Sequence, residues 1–175
     1  EGDIIAYLLI VLGVALPVAT GAGMIYRLGR IFELARPVRA GLALAVVCGS
    51  GMISYATVLN SNAPAAALVL VACAILFHAG ATARRGLVEV WLFVAGLCAA
   101  MAGVIDLAAP VLAGLLVLVI LAMPWPLGRK VLRAACYVVG MLPPLLLHAA
   151  LTVPVTGDLL PGFLHPQLVA KAEAR

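Results

Sequence analysis

Residues 60–85 read NSNAPAAALVLVACAILFHAGATARR. A polar but uncharged turn comes first, with Pro64 where a helix start favours it. An apolar run follows with no formal charge before Arg84-Arg85. The run is long enough to cross a hydrocarbon core of about 30 Å, which takes about 20 helical residues. A basic pair at one end and a charge-free turn at the other is the polarity of a membrane span.

The same pattern repeats outward in both directions. Apolar segments occupy approximately Ile4–Tyr26, Val38–Leu59, Pro64–Ala83, Leu87–Ile105, Ala108–Met123 and Val131–Val153. Nine of the eleven lysines and arginines fall into three clusters between alternate pairs of segments. Arg27, Arg30, Arg36 and Arg39 follow the first segment, Arg84 and Arg85 the third, and Arg129, Lys130 and Arg133 the fifth. The connections around Asn60 and Asp106 carry no basic residue. By the positive-inside rule the basic connections face the cytoplasm, and both termini face the outer side of the membrane. The expected fold is all-α: a polytopic transmembrane helix bundle of about six spans over residues 1–155, with a polar outer tail at 156–175. The fifth segment is short for a full crossing. The pair Pro143-Pro144 is expected to interrupt the sixth helix, because proline removes a backbone donor.

Composition agrees. The 175-residue chain is 66% hydrophobic and 10% charged, with a mean hydropathy of +1.23. A soluble domain carries about 25% charged residues. The net charge of +4 is accounted for by topology and headgroup contact, so no nucleic-acid partner is implied. Cys48, Cys73, Cys98 and Cys136 lie within apolar runs without CxxC spacing and read as packing residues. His78 and His148 lack a second ligand at metal spacing and read as hydrogen-bonding residues. No metal or cofactor is expected. Tyr7, Tyr26, Trp91, Trp125 and Tyr137 stand near segment ends, where interfacial aromatics concentrate. Small residues at Gly13, Pro17 and Gly21, and at Gly96, Ala100 and Gly103, mark faces for close helix packing. Residue 1 is Glu, and an upstream segment is expected.

Polar residues within spans are functional candidates because burying them in lipid is costly. Those on the outer side are few: Asn60, Asn62, Asp106 and Asp158. Asn60 and Asn62 also suit helix capping, and Asp106 also suits a solvated loop. No phosphate-loop, nucleophile-elbow or dinucleotide motif is present.

Three stretches carry a family resemblance. Thr57-Val58-Leu59-Asn60-Ser61-Asn62-Ala63-Pro64-Ala65-Ala66 is the first. Phe93-Val94-Ala95-Gly96-Leu97, running through Ala99-Ala100-Met101 to Asp106-Leu107-Ala108-Ala109-Pro110, is the second. Thr156-Gly157-Asp158-Leu159-Leu160-Pro161 is the third. Together they resemble bacterial membrane proteins related to the GT-C glycosyltransferases, of the dolichyl-phosphate-mannose protein mannosyltransferase-like kind. The resemblance covers roughly Arg30 to Gln167. It implies transfer of a sugar from a polyprenyl-phosphate carrier at the outer face, with the catalytic acid in a first outer loop that these residues do not include. Asn62 stands where the family has His, and Asp106 where it has Glu. The resemblance therefore implies no catalytic residue here, and at most ligand binding by Asn60, Asn62, Asp106 and Asp158. The expected partners are membrane lipids, a polyprenyl-phosphate sugar and other membrane subunits. The competing expectation is a non-catalytic accessory or structural subunit of a respiratory or photosynthetic type of complex.

Overall fold

In a computed structural model, residues 2–49, 62–81, 87–106 and 108–157 are described. They are helical apart from short connections. The chain runs through α1 (Gly2–Ile10), a π-helical turn (Val11–Ala15), α2 (Leu16–Ile31), α3 (Arg36–Gly49), α4 (Asn62–Ala81), α5 (Val88–Ile105), α6 (Ala109–Ala122) and α7 (Leu127–Thr156). Among the described residues, four continuous helices are long and apolar enough to cross a membrane: Ile4–Ile31, Asn62–Ala81, Val88–Ile105 and Leu127–Val155.

Sequence chemistry explains the irregular first span. The ring of Pro17 would collide with the Gly13 carbonyl in an α-helical register. The preceding turn widens instead, and the Leu16 N–H reaches the Val11 carbonyl five residues back. The helix then continues to Ile31, beyond the expected end at Tyr26, so Arg27 and Arg30 lie on helix rather than in a loop. It closes with two backbone bonds, Glu33 N–H to Arg30 O (3.1 Å) and Leu34 N–H to Gly29 O (2.9 Å). This is the two-bond αL helix ending, and Glu33 takes the left-handed position usually held by glycine, at φ 55°. Of the expected second span, α3 covers the first half, and 50–59 lie outside the described residues.

Large apolar side chains point outward and small ones inward. Leu8, Leu12, Leu118 and Leu146 are exposed, whereas alanine holds more than half of the buried apolar positions. That is the pattern of a bundle solvated by lipid, where close backbone approach replaces the hydrophobic drive between helices. The main core joins Ile75, Leu76 and Ala79 of α4 to Leu92 and Ala95 of α5, Ala113 and Ile120 of α6, and Tyr137 of α7. Val14 and Val18 pack on Ala63 and Ala67, so the first span runs parallel to α4. Ala65, Ala102 and Ala109 form a third cluster near the opposite end from the basic residues.

Two expectations are corrected. First, α7 runs unbroken through Pro143, Pro144 and Pro154. The fixed φ of proline is compatible with a helix, and both the lost donors and the ring's contact with the carbonyl one turn earlier are accommodated here without a break. Second, Tyr137 is not interfacial. The helix begins at Leu127, four residues before the expected start, which carries Tyr137 into the core. It is fully buried there, and its hydroxyl donates to the Ala113 carbonyl at 3.1 Å.

Among the described glycines, those that meet another helix's backbone most tightly lie between α5 and α7. A methyl at Gly96 would collide with the Tyr137 carbonyl, and one at Gly140 with the Phe93 carbonyl. Each helix thus presents a glycine to the other's carbonyl, with both partners three residues apart in their own chain. Gly96→Ala should destabilise the bundle by about 2 kcal/mol or more, since overpacking costs about 1–3 kcal/mol and backbone cannot yield as a side chain does. Gly114 has open space around it, so Gly114→Ala should be neutral or stabilising by up to about 1 kcal/mol. Thermal unfolding of the two variants in detergent compares them.

Candidate functional site

The two ends of the bundle differ in chemistry. The end carrying the expected outer residues holds Asn62 and Asp106. Asn62 starts α4 and is exposed; Asp106 follows α5 and is half-buried. The cluster of Ala65, Ala102 and Ala109, each about one turn from these termini, brings them to one end. Asn60 and Asp158 lie outside the described residues. Asp106 serves the backbone: its Oδ1 accepts the Ala108 N–H at 3.0 Å, and its carbonyl accepts the Ala109 N–H at 3.1 Å. It therefore shapes the turn into α6, as Asp does at caps and Asx turns. Among the described residues, no three of His, Cys, Asp and Glu gather as a possible metal-binding set.

The opposite end is more elaborate. The α2–α3 turn, the start of α5 and the start of α7 collect there. Arg133 on α7 is buried, and its Nε lies 3.3 Å from Glu89 Oε1 on α5. Its guanidinium also stacks 4.1 Å from the centroid of a Trp125 ring. Pairing and stacking satisfy a charge that would otherwise be costly to remove from solvent.

Arg39, in the first turn of α3, is the second buried arginine, at 7% exposure. Gly29 makes its position possible: a Cβ there would lie 2.6 Å from Arg39 Cγ. The stem crosses α2 at this gap, and the guanidinium sits 4.8 Å from the centroid of the Tyr26 ring. Among the described residues, Nε and Nη1 of Arg39 have no hydrogen-bond partner, and they are the only buried side-chain nitrogen or oxygen atoms so placed. A buried donor left unmet costs about 1–3 kcal/mol, and more when charged. The cation–π contact contributes about 0.5–2 kcal/mol, which does not replace two hydrogen bonds.

Two concavities open at this end. One, of about 570 Å³, lies between α2, the end of α4 and the start of α5; Met24, Leu28 and Ile75 line it with Arg27, Arg30 and His78. The other, of about 480 Å³, is formed by Tyr26, Arg30, Glu33, Leu34, Arg36 and Arg39. From sequence these arginines are assigned to topology and headgroup contact, with no site built around one of them. The available signal was Arg36-Pro37 opening a helix directly after a short turn, which returns two arginines onto the arginines before it.

Fold and surface together define an all-α membrane protein with transmembrane helices. No family model, no curated protein and no solved structure matches the chain.

If Asp106 is a turn residue, Asp106→Asn should preserve stability within about 0.5 kcal/mol, because the amide oxygen accepts the same hydrogen bond. Asp106→Ala should cost about 1 kcal/mol. Unfolding midpoints of the two variants test this.

Proposed function

We propose that the chain is the membrane-embedded helical core of a lipid-linked-sugar glycosyltransferase of GT-C-like type, with the catalytic acid and base supplied from outside its 175 residues. The observation that carries this reading is the use to which the described polar groups are put. Asp106 holds a turn, Glu89 neutralises Arg133, Tyr137 bonds a carbonyl, and His148 lies 3.3 Å from Thr152. None of these is arranged as an acid–base pair beside an open outer-end cavity, as transfer to an acceptor hydroxyl requires. The outwardly apolar faces of α6 and α7 suit burial in lipid or against other subunits. The resemblance of the three stretches selects the glycosyltransferase class. In this reading the membrane is the bacterial inner membrane, the basic end is cytoplasmic, and both termini are outside. Asn60, Asn62, Asp106 and Asp158 then border the sugar carrier without performing chemistry.

The same exposed faces favour one alternative, an accessory subunit of a respiratory or photosynthetic type of complex. Deleting the gene and assaying native membranes separates the two. The proposal expects loss of sugar transfer from a polyprenyl-phosphate donor, restored by the wild-type chain and also by Asp106→Asn. Unchanged transfer after deletion contradicts it. Restoration by the wild type but not by Asp106→Asn would give Asp106 a catalytic role and contradict the assignment of residues.

A further inference from the structure

We propose that Tyr26, Arg30, Arg36 and Arg39 form a binding site for the phosphate group of a net-negative ligand, at the basic end of the bundle, with the buried Arg39 guanidinium as its anchor. This site is independent of the glycosyltransferase reading and lies at the other end of the protein from the residues that reading uses.

Several features converge here. Arg39 is buried and aimed into the concavity, with Nε and Nη1 unmet among the described residues. Nε–H faces the Nη2 side of the group and Nη1 stands cis to Cδ, so the two unmet donors lie on different edges of the guanidinium and each offers a separate charge-assisted hydrogen bond to an oxygen. Tyr26 covers the ring-facing side of the same group, which fixes its plane. Arg30 and Arg36 line the concavity as well, and Glu33 is its one acid, so three guanidinium charges face one carboxylate, a surplus of two.

The backbone adds to the field. α3 is a 14-residue helix whose first turn begins at Arg36. Ala35 precedes it and carries no side-chain acceptor to cap the turn, so the positive end of the helix dipole lies at the same place. Phosphate groups bind readily at such helix starts.

The neighbouring polar groups do not take the anchor's place. Arg133, the other buried arginine, already has Glu89 and Trp125. Arg39 has an aromatic face and buried donors that no described group meets, so it lacks the acid that Arg133 has. Phosphate is favoured over carboxylate because three guanidinium groups and a helix start exceed what two oxygens and one charge can engage. A phospholipid headgroup and free phosphate share this chemistry, and the concavity is placed at a helix end where either can enter.

The test uses the purified chain in uncharged detergent and follows thermal unfolding. Phosphatidylglycerol, phosphatidylcholine, inorganic phosphate and chloride at matched ionic strength are added separately. Wild type should gain about 5 °C near saturation from phosphatidylglycerol or from inorganic phosphate, and not from phosphatidylcholine or chloride. A gain from phosphatidylglycerol alone assigns the lipid headgroup; a gain from inorganic phosphate assigns a free phosphate. Arg39→Met should remove the gain. Arg36→Gln, on an exposed residue whose loss does not threaten folding, should raise the half-saturating concentration about tenfold. Arg129→Gln, which removes one charge from another basic cluster, should leave the gain intact. The proposal is overturned by the absence of any gain, by equal gains from phosphatidylcholine and phosphatidylglycerol, or by equal behaviour of Arg36→Gln and Arg129→Gln.

Discussion

The close crossing of α5 and α7 is the constraint on which the rest depends. In lipid, helices gain little from hiding apolar surface against one another, since the tails are equally apolar. Association then rests on backbone approach and dispersion. Gly96 and Gly140 each clear a path for the other helix's carbonyl, at Tyr137 and Phe93. Such approach also permits Cα–H···O contacts, each worth about 0.5–1 kcal/mol. With α5 and α7 fixed, Tyr137 reaches the Ala113 carbonyl on α6 and Arg133 reaches Glu89 on α5. One crossing thereby sets both the core and the buried ion pair at the basic end.

The same logic of small residues operates elsewhere with different outcomes. A Cβ added at Gly21 would meet Ala67 at ordinary contact distance, where the first span packs on α4, whereas one at Gly13, on the same expected face, would meet nothing within 4 Å. Gly29 admits an arginine stem in place of a helix. A glycine in a lipid-facing helix therefore gains its meaning from what crosses it. The two buried arginines illustrate a matching contrast. Arg133 is enclosed by an acid and an indole, while Arg39 has only a phenol ring and a Glu33 side chain bordering the same concavity.

Much of the architecture was legible in the sequence. The uncharged turn before Pro64 and the arginines after Ala83 bracket a helix that the structure places at Asn62–Ala81. The short fifth segment is a 14-residue helix, about 21 Å long at about 1.5 Å per residue. The breaks were harder to read. Pro143-Pro144 looked like an interruption because local rules count the lost donors, yet helix on both sides of the pair already holds the φ that proline requires. Pro17 leaves its mark one turn earlier, as a π turn at Val11–Ala15. Tyr137 was misplaced because the helix start lies at Leu127, and Gly140 was overlooked because no second small residue was read on its face. At the candidate site, composition drew attention to the few outer polar residues, of which Asp106 proves to be a turn-former. The buried arginine escaped notice because its burial depends on Gly29, ten residues earlier, and on the reversal between them. Asn60 and Asp158 fall outside the described residues.

The α5–α7 crossing is a single cooperative contact, and a double-mutant cycle on Gly96→Ala and Gly140→Ala measures that directly. Once one methyl has forced the helices apart, the second meets a gap already opened. The double variant should therefore cost less than the sum of the single variants by about 1 kcal/mol or more, within the range of coupling between residues in contact. Additivity to within about 0.5 kcal/mol, as for distant sites, would contradict it.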